Sequence, residues 1–112
     1  MSVPHLTRPL TLEARQQVAD GAGGFVETWV ALGRLWAEVV PASGRDAAGA
    51  EITLGAVAFR ITVRAAVPGA QSRPVPGQRF REGARVFAVL AVTERDVAGR
   101  YLSCFAREEV PA

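Results

Sequence analysis

Val57-Ala-Phe-Arg-Ile-Thr-Val-Arg64 decides the fold class. Val57, Phe59, Ile61 and Val63 fall on one side of an extended chain and Ala58, Arg60, Thr62 and Arg64 on the other, because successive side chains of a strand point to opposite faces. One face is apolar and the other wet, the pattern of a strand in an antiparallel sheet with a single covered side. Working outward, Arg85–Thr93 alternates Val86, Ala88, Leu90, Val92 with Phe87, Val89, Ala91. Both sets are apolar, which predicts a central strand covered on both sides. Arg95–Arg100, with Asp96 and Gly99, reads as a hairpin turn into a strand over Tyr101–Arg107.

The first half has the same character. Leu10–Val18 reads as a strand, and Asp20-Gly-Ala-Gly-Gly24 as a hairpin whose glycines supply positive φ at little cost. A phosphate-binding loop is excluded there, since neither a Lys-Ser/Thr pair nor a helical pattern follows. A long strand runs from Phe25 to Val40, with a bulge expected near Gly33 where the alternation slips, and Pro41 ends it. The stretch 41–56 has small residues and no strand alternation. Ser43 and Asp46 have the spacing of a capping pair, so a loop or a short, weak helix is expected. Residues 67–78 hold Pro68, Pro74 and Pro76 and read as an extended surface loop. Residues 1–9 are expected to be a flexible terminus.

Composition narrows the functional classes. The chain of 112 residues carries thirteen basic side chains, all arginine, against eleven acidic ones, for a net charge of +2. That size is one domain, 1–112, able to bury roughly two thirds of its unfolded surface without disulfides or metal. Acids are interleaved with bases, so the clustered cations of a dedicated nucleic-acid binder are missing. The absence of lysine and the twenty alanines fit a GC-rich coding bias. A single cysteine, Cys104, permits no internal disulfide and no thiolate metal cluster, and the single histidine, His5, has no second imidazole to work with. Neither an enzyme nor a cofactor or metal site is expected. No stretch reaches the roughly twenty apolar residues of a membrane span and no signal-peptide core is present, so no membrane partner is expected and synthesis is expected in a cytoplasm-like compartment.

Several segments, in order, resemble the head-tail joining family of tailed phages, whose members are also called head completion, head closure or stopper proteins. DGAGG (20–24) precedes ETWV (27–30), then come LWAEVVPASGRD (35–46), FRITVR (59–64), REGARVFAVLAV (81–92) and YLSCFAREE (101–109). Each piece alone is short; together they span residues 10–109 at family spacing. The arginine- and proline-rich stretch 70–80 is longer than the family pattern, and the basic N-terminal strand is missing. The bias toward Ala and Arg also suits a gene transfer agent or a prophage of a GC-rich bacterium.

The resemblance implies a mainly β fold: a small antiparallel β-barrel of about six strands, with one long loop or short helix between the second and third. It implies a structural connector at the neck of a phage-like virion, a homo-oligomeric ring of about six or twelve copies. The ring would lie between a portal or adaptor ring above and a tail terminator or tail tube protein below, with genomic DNA passing through without specific binding. The loop 41–56 would be the channel loop, with Ser43, Arg45, Asp46 and Glu51 its polar reach; the alternative is a solvated surface loop.

Trp29, Trp36, Phe59 and Phe87 are candidate core or interface anchors. Base stacking by the two tryptophans is disfavoured because no basic cluster flanks them in sequence. Arg73, Arg79, Arg81 and Arg85 form the densest basic run, read as a solvated loop able to pair with acidic patches on an adjoining ring. Cys104 is expected to be a buried thiol acting as a small hydrophobe. The rival reading is an OB-like barrel that binds nucleic acid, which would show salt-sensitive affinity for single strands.

Overall fold

In a computed structural model, residues 3–42 and 57–109 are described and fold into six antiparallel strands. These are β1 (Arg8–Ala19), β2 (Phe25–Pro41), β3 (Val57–Arg64), β4 (Arg79–Glu82), β5 (Arg85–Glu94) and β6 (Tyr101–Glu109). They close into a barrel in the order β1-β2-β3-β6-β5-β4, with β4 returning to pair with β1. Closure is what a short β-rich chain needs. It removes sheet edges and lets a single layer enclose a core.

The alternating residues meet inside. Leu10 and Leu12 of β1, Ala37 of β2, Ile61 and Val63 of β3, Phe80 of β4, Phe87 and Val89 of β5, and Leu102, Cys104 and Ala106 of β6 form one buried cluster. Phe59 packs edge-on against Phe87, with ring centroids 5.4 Å apart and an interplanar angle of 84°. The octet Val57–Arg64, now β3, lies between β2 and β6, pairing Val39 with Ile61 and Ile61 with Cys104.

The expected bulge falls where the alternation slips. Leu12 pairs with Gly33 and Glu13 with Ala31, so Leu32 is the extra residue. Gly33 sits at φ +152°, a conformation side-chain-bearing residues rarely adopt. Asp20 organises the first hairpin by accepting the amides of Ala22 and Gly24 on Oδ1, at 2.7 and 3.0 Å. Asp96 does the same for Arg100 and Tyr101 in the β5–β6 turn, at 2.9 and 3.1 Å.

Four expectations need correction. β4, which falls in the stretch expected to be an arginine-rich loop, exists because Phe80 faces inward as its one apolar anchor while Arg79 and Arg81 face out. Among the described residues no second layer covers the outer face of β5: Val86, Ala88 and Leu90 are only half-buried, on the outer side of the barrel wall. Conversely, Thr62 on the supposedly wet face of β3 is fully buried, its Oγ1 accepting a hydrogen bond from Arg95 Nη1 at 3.0 Å. Finally, Arg8 and Pro9 belong to β1 rather than to a flexible terminus, Pro4 is buried, and the His5 amide donates to Glu38 Oε2 at 2.9 Å. The segment 43–56, with its expected helix or loop, lies outside the described residues; it joins the barrel at one end, where the Ala42 amide donates to the Ala58 carbonyl at 2.9 Å.

Candidate functional sites: an ion-paired barrel and a projecting hairpin

The strands carry two charge clusters on the barrel and leave one extension beyond it. At the barrel mouth beside Ala42, the inward-pointing positions of four strands end in charge. Arg8 of β1 forms a bidentate pair with Glu82 of β4 (Nη2–Oε1 2.6 Å, Nε–Oε2 3.0 Å). Arg85 of β5 does the same with Glu108 of β6 (Nε–Oε2 2.7 Å, Nη2–Oε1 3.0 Å), and a 4.0 Å contact from Arg85 Nη1 to Glu82 Oε1 joins the two pairs. The Arg85 guanidinium stands 5.0 Å from the centroid of Phe87 and 5.7 Å from that of Phe59. The four charges thus cap the apolar core, a use of planar arginine against carboxylates and aromatic faces that lysine could not match.

On the outer wall, Glu13 of β1 is nearly enclosed, with 7% of its side chain exposed. It accepts from Arg79 Nε at 2.7 Å and from Arg81 Nε at 2.9 Å. Arg79 also lies 4.1 Å over the ring of Trp29, with Arg15 at 5.4 Å and Arg15 Nε 3.3 Å from Glu27 Oε1. Trp29 therefore has the basic neighbours that its sequence context lacks. They come from across the sheet, because β1 lies between β2 and β4 and Glu13 is opposite both Ala31 and Arg79.

Of the arginines read as a basic loop, only Arg73 lies in a loop, where its Nη1 donates to the Ala66 carbonyl at 2.8 Å. Arg79, Arg81 and Arg85 are on strands and engage acids of their own chain. Phe87 is core and Phe59 is packed against it. Trp36 is 59% exposed on β2 and outside the core. Ser43, Arg45, Asp46 and Glu51 lie outside the described residues. Glu13, Arg8, Glu82 and Glu108 were not singled out in the sequence; the inward alternation of β4 through Phe80 is the signal that could have placed Glu82 at the mouth.

Glu38, Glu82 and Glu108 are all held below the ordinary carboxylate value of 4.5, chiefly by the His5 amide, Arg8 and Arg85 respectively. At Glu13 burial opposes ionisation most strongly, yet the two arginines together outweigh it and the shift is also downward. A carboxyl with a lowered folded-state value stabilises the fold fully above its unfolded value and loses that contribution as pH falls through the folded one. Thermal stability is therefore expected to decline steadily as pH drops from about 6 to about 3. Calorimetry across that range checks it; a flat melting temperature would refute it. Cys104, by contrast, is pushed up to about 12 by burial, which leaves it a neutral thiol.

The extension is the distal half of the first hairpin. β4 pairs with β1 only at Thr11–Glu13, and β3 pairs with β2 only from Ala37 to Pro41. Beyond them, Ala14–Ala19 and Phe25–Ala31 form a two-stranded ribbon.

Among the described residues, no group of three or more His, Cys, Asp or Glu is arranged to hold a metal ion. Fold and surfaces together define a small closed β-barrel with arginine–carboxylate pairs along its wall and a ribbon reaching outward. The chain belongs to the phage head completion protein family, whose model matches residues 1–109. Its structure is similar to a chain in the virion of a native gene transfer agent particle, with 59% identity, a TM-score of 0.79, and coverage of 98% of this chain and 100% of that one. It is also similar to protein SF1141 from Shigella flexneri 2a, solved in solution, with 26% identity, a TM-score of 0.72 and full coverage of both chains. Among curated proteins none matches. The chain is a structural head–tail connector protein of a phage-like virion.

Proposed function

We propose that this connector assembles into a closed ring beneath the portal or its adaptor, continues the DNA channel and offers the surface on which the tail docks. The match to the head completion family over residues 1–109, joined to the 59% identical chain of a gene transfer agent virion, carries this reading. The physical chemistry is compatible with it. A net charge of +2 is small for a protein beside DNA, and in a ring each excess arginine facing the lumen would be repeated in every copy and would hold the duplex back. The paired arginines matter here, since Arg8, Arg79, Arg81 and Arg85 are each within ion-pair distance of a carboxylate.

Within this reading the loop 41–56, through Ser43, Arg45, Asp46 and Glu51, is the channel loop, and Arg73 and Trp36 are available for contacts with neighbouring copies or rings. The role is structural and involves no catalysis. A strain lacking the gene is expected to accumulate DNA-filled heads and free tails, seen by electron microscopy of lysates. Normal tailed particles from that strain would refute the connector role.

A further inference from the structure

A two-stranded ribbon standing alone in water is marginal; a third strand or a covering layer is what stabilises one. The ribbon of Ala14–Ala19 and Phe25–Ala31 has neither among the described residues. Among the described residues both of its long edges are open, since pairing of β1 with β4 goes no further than Glu13 and pairing of β2 with β3 begins only at Ala37. Both of its faces carry exposed apolar side chains. Val18, Val26 and Val30, on the side that continues the barrel interior, are 46, 51 and 40% exposed, and Phe25 is 69% exposed on the other side. Soluble proteins blunt such edges with lysine, proline or inward charge. Here ARQQVA and FVETWVA contain no proline, and their two charges, Arg15 and Glu27, are paired with each other within one copy.

We propose that the ribbon is the seat of subunit association: the free edge of β1 in one copy of the chain adds as a further strand to the free edge of β2 in the next. This rests on the ring reading above and names the surface that makes the ring. Two observations favour a second copy as the occupant. Among the described residues each copy offers one free β1 edge, Ala14–Ala19, and one longer free β2 edge, Phe25–Trp36, so joining unlike edges seats the whole β1 edge along β2, continues the antiparallel order β1-β2-β1-β2, and in a closed circle pairs every β1 edge. Charge then selects unlike edges over like ones. Arg15 is on β1 and Glu27 on β2, 3.3 Å apart within one copy. Unlike-edge pairing brings one copy's Arg15 to the strand that holds the next copy's Glu27 and Trp29, whereas like-edge pairing centred on these residues opposes Arg to Arg or Glu to Glu.

Photo-crosslinking in assembled particles tests it. A benzoyl-phenylalanine is placed at Phe25 of β2, an aromatic for an exposed aromatic, and particles are irradiated and run under denaturing conditions. The expected result is a ladder of covalent multimers extending beyond the dimer, with crosslinked peptides mapping to residues 14–19. Dimers alone would mean like-edge pairing, and crosslinks only to another virion protein, or no interchain product, would mean the arm docks elsewhere; each overturns the proposal. The same group at Val97, fully exposed on the β5–β6 turn, should give no ladder, and an equal ladder from it would also overturn the proposal. Absence of the unmodified protein from purified tailed particles would instead sink the connector reading, and this inference with it.

Discussion

Phe87→Ala is expected to destabilise the barrel by about 4 kcal/mol, the range for truncating a fully buried aromatic in a packed core. Phe87 has no solvent exposure, and only one other aromatic, Phe80, is as completely enclosed. The two are direct cross-strand partners, so a cavity at position 87 strips contacts from β4, the shortest strand and the one that closes the barrel. The removed ring also supports the edge of Phe59 and the guanidinium of Arg85. Domains of this size are stable by only about 5–15 kcal/mol, so the variant should sit near its unfolding threshold at 37 °C. Urea denaturation followed by far-UV circular dichroism measures it. Phe87→Leu, which keeps most of the volume, should lose markedly less; equal losses would show that the site is not packed as described.

Glu13→Ala is expected to cost about 3 kcal/mol, because removing one partner of an enclosed ion pair leaves charges without compensation. The loss is shared unevenly. Arg79 is mostly covered, stacked on Trp29, and cannot swing into water without giving up that contact, whereas Arg81 is 45% exposed and will rehydrate readily. Arg81→Ala should therefore be mild, within about 1 kcal/mol, as for exposed pairs in general. A drop in melting temperature of roughly 10–20 °C for Glu13→Ala, against a few degrees for Arg81→Ala, is the expected contrast. The two variants melting alike would show that Glu13 behaves as an ordinary surface carboxylate.

These two positions differ in how far sequence alone reaches. Phe87 is legible as apolar and alternating, and the phase of Val57–Arg64 is enough to predict that Ile61 and Val63 are core. The turns at Asp20–Gly24 and Arg95–Arg100, and the bulge at Gly33, are legible for the same local reason: glycine and aspartate report backbone geometry within a few residues. β4 escaped because one phenylalanine between arginines is too short a pattern to separate from a proline-rich loop. The resemblance to the head-tail joining family rested on scattered short motifs, yet the family match spans residues 1–109.

What the chain determines by itself is therefore its all-β class, most of its strands and its family, since alternation, turn chemistry and motif spacing are properties of neighbours in sequence. Which charges meet was decided only by the closed barrel. Glu13 and Arg79 are 66 positions apart, and Arg8 and Glu82 are 74. Their contacts depend on the register between β1 and β4, which the packing of Leu12 against Phe80 sets and no local pattern records. The same closure decided what was left over. A first hairpin longer than the strands flanking it must run past the barrel, and its unpaired edges exist only because β3 and β4 end where they do.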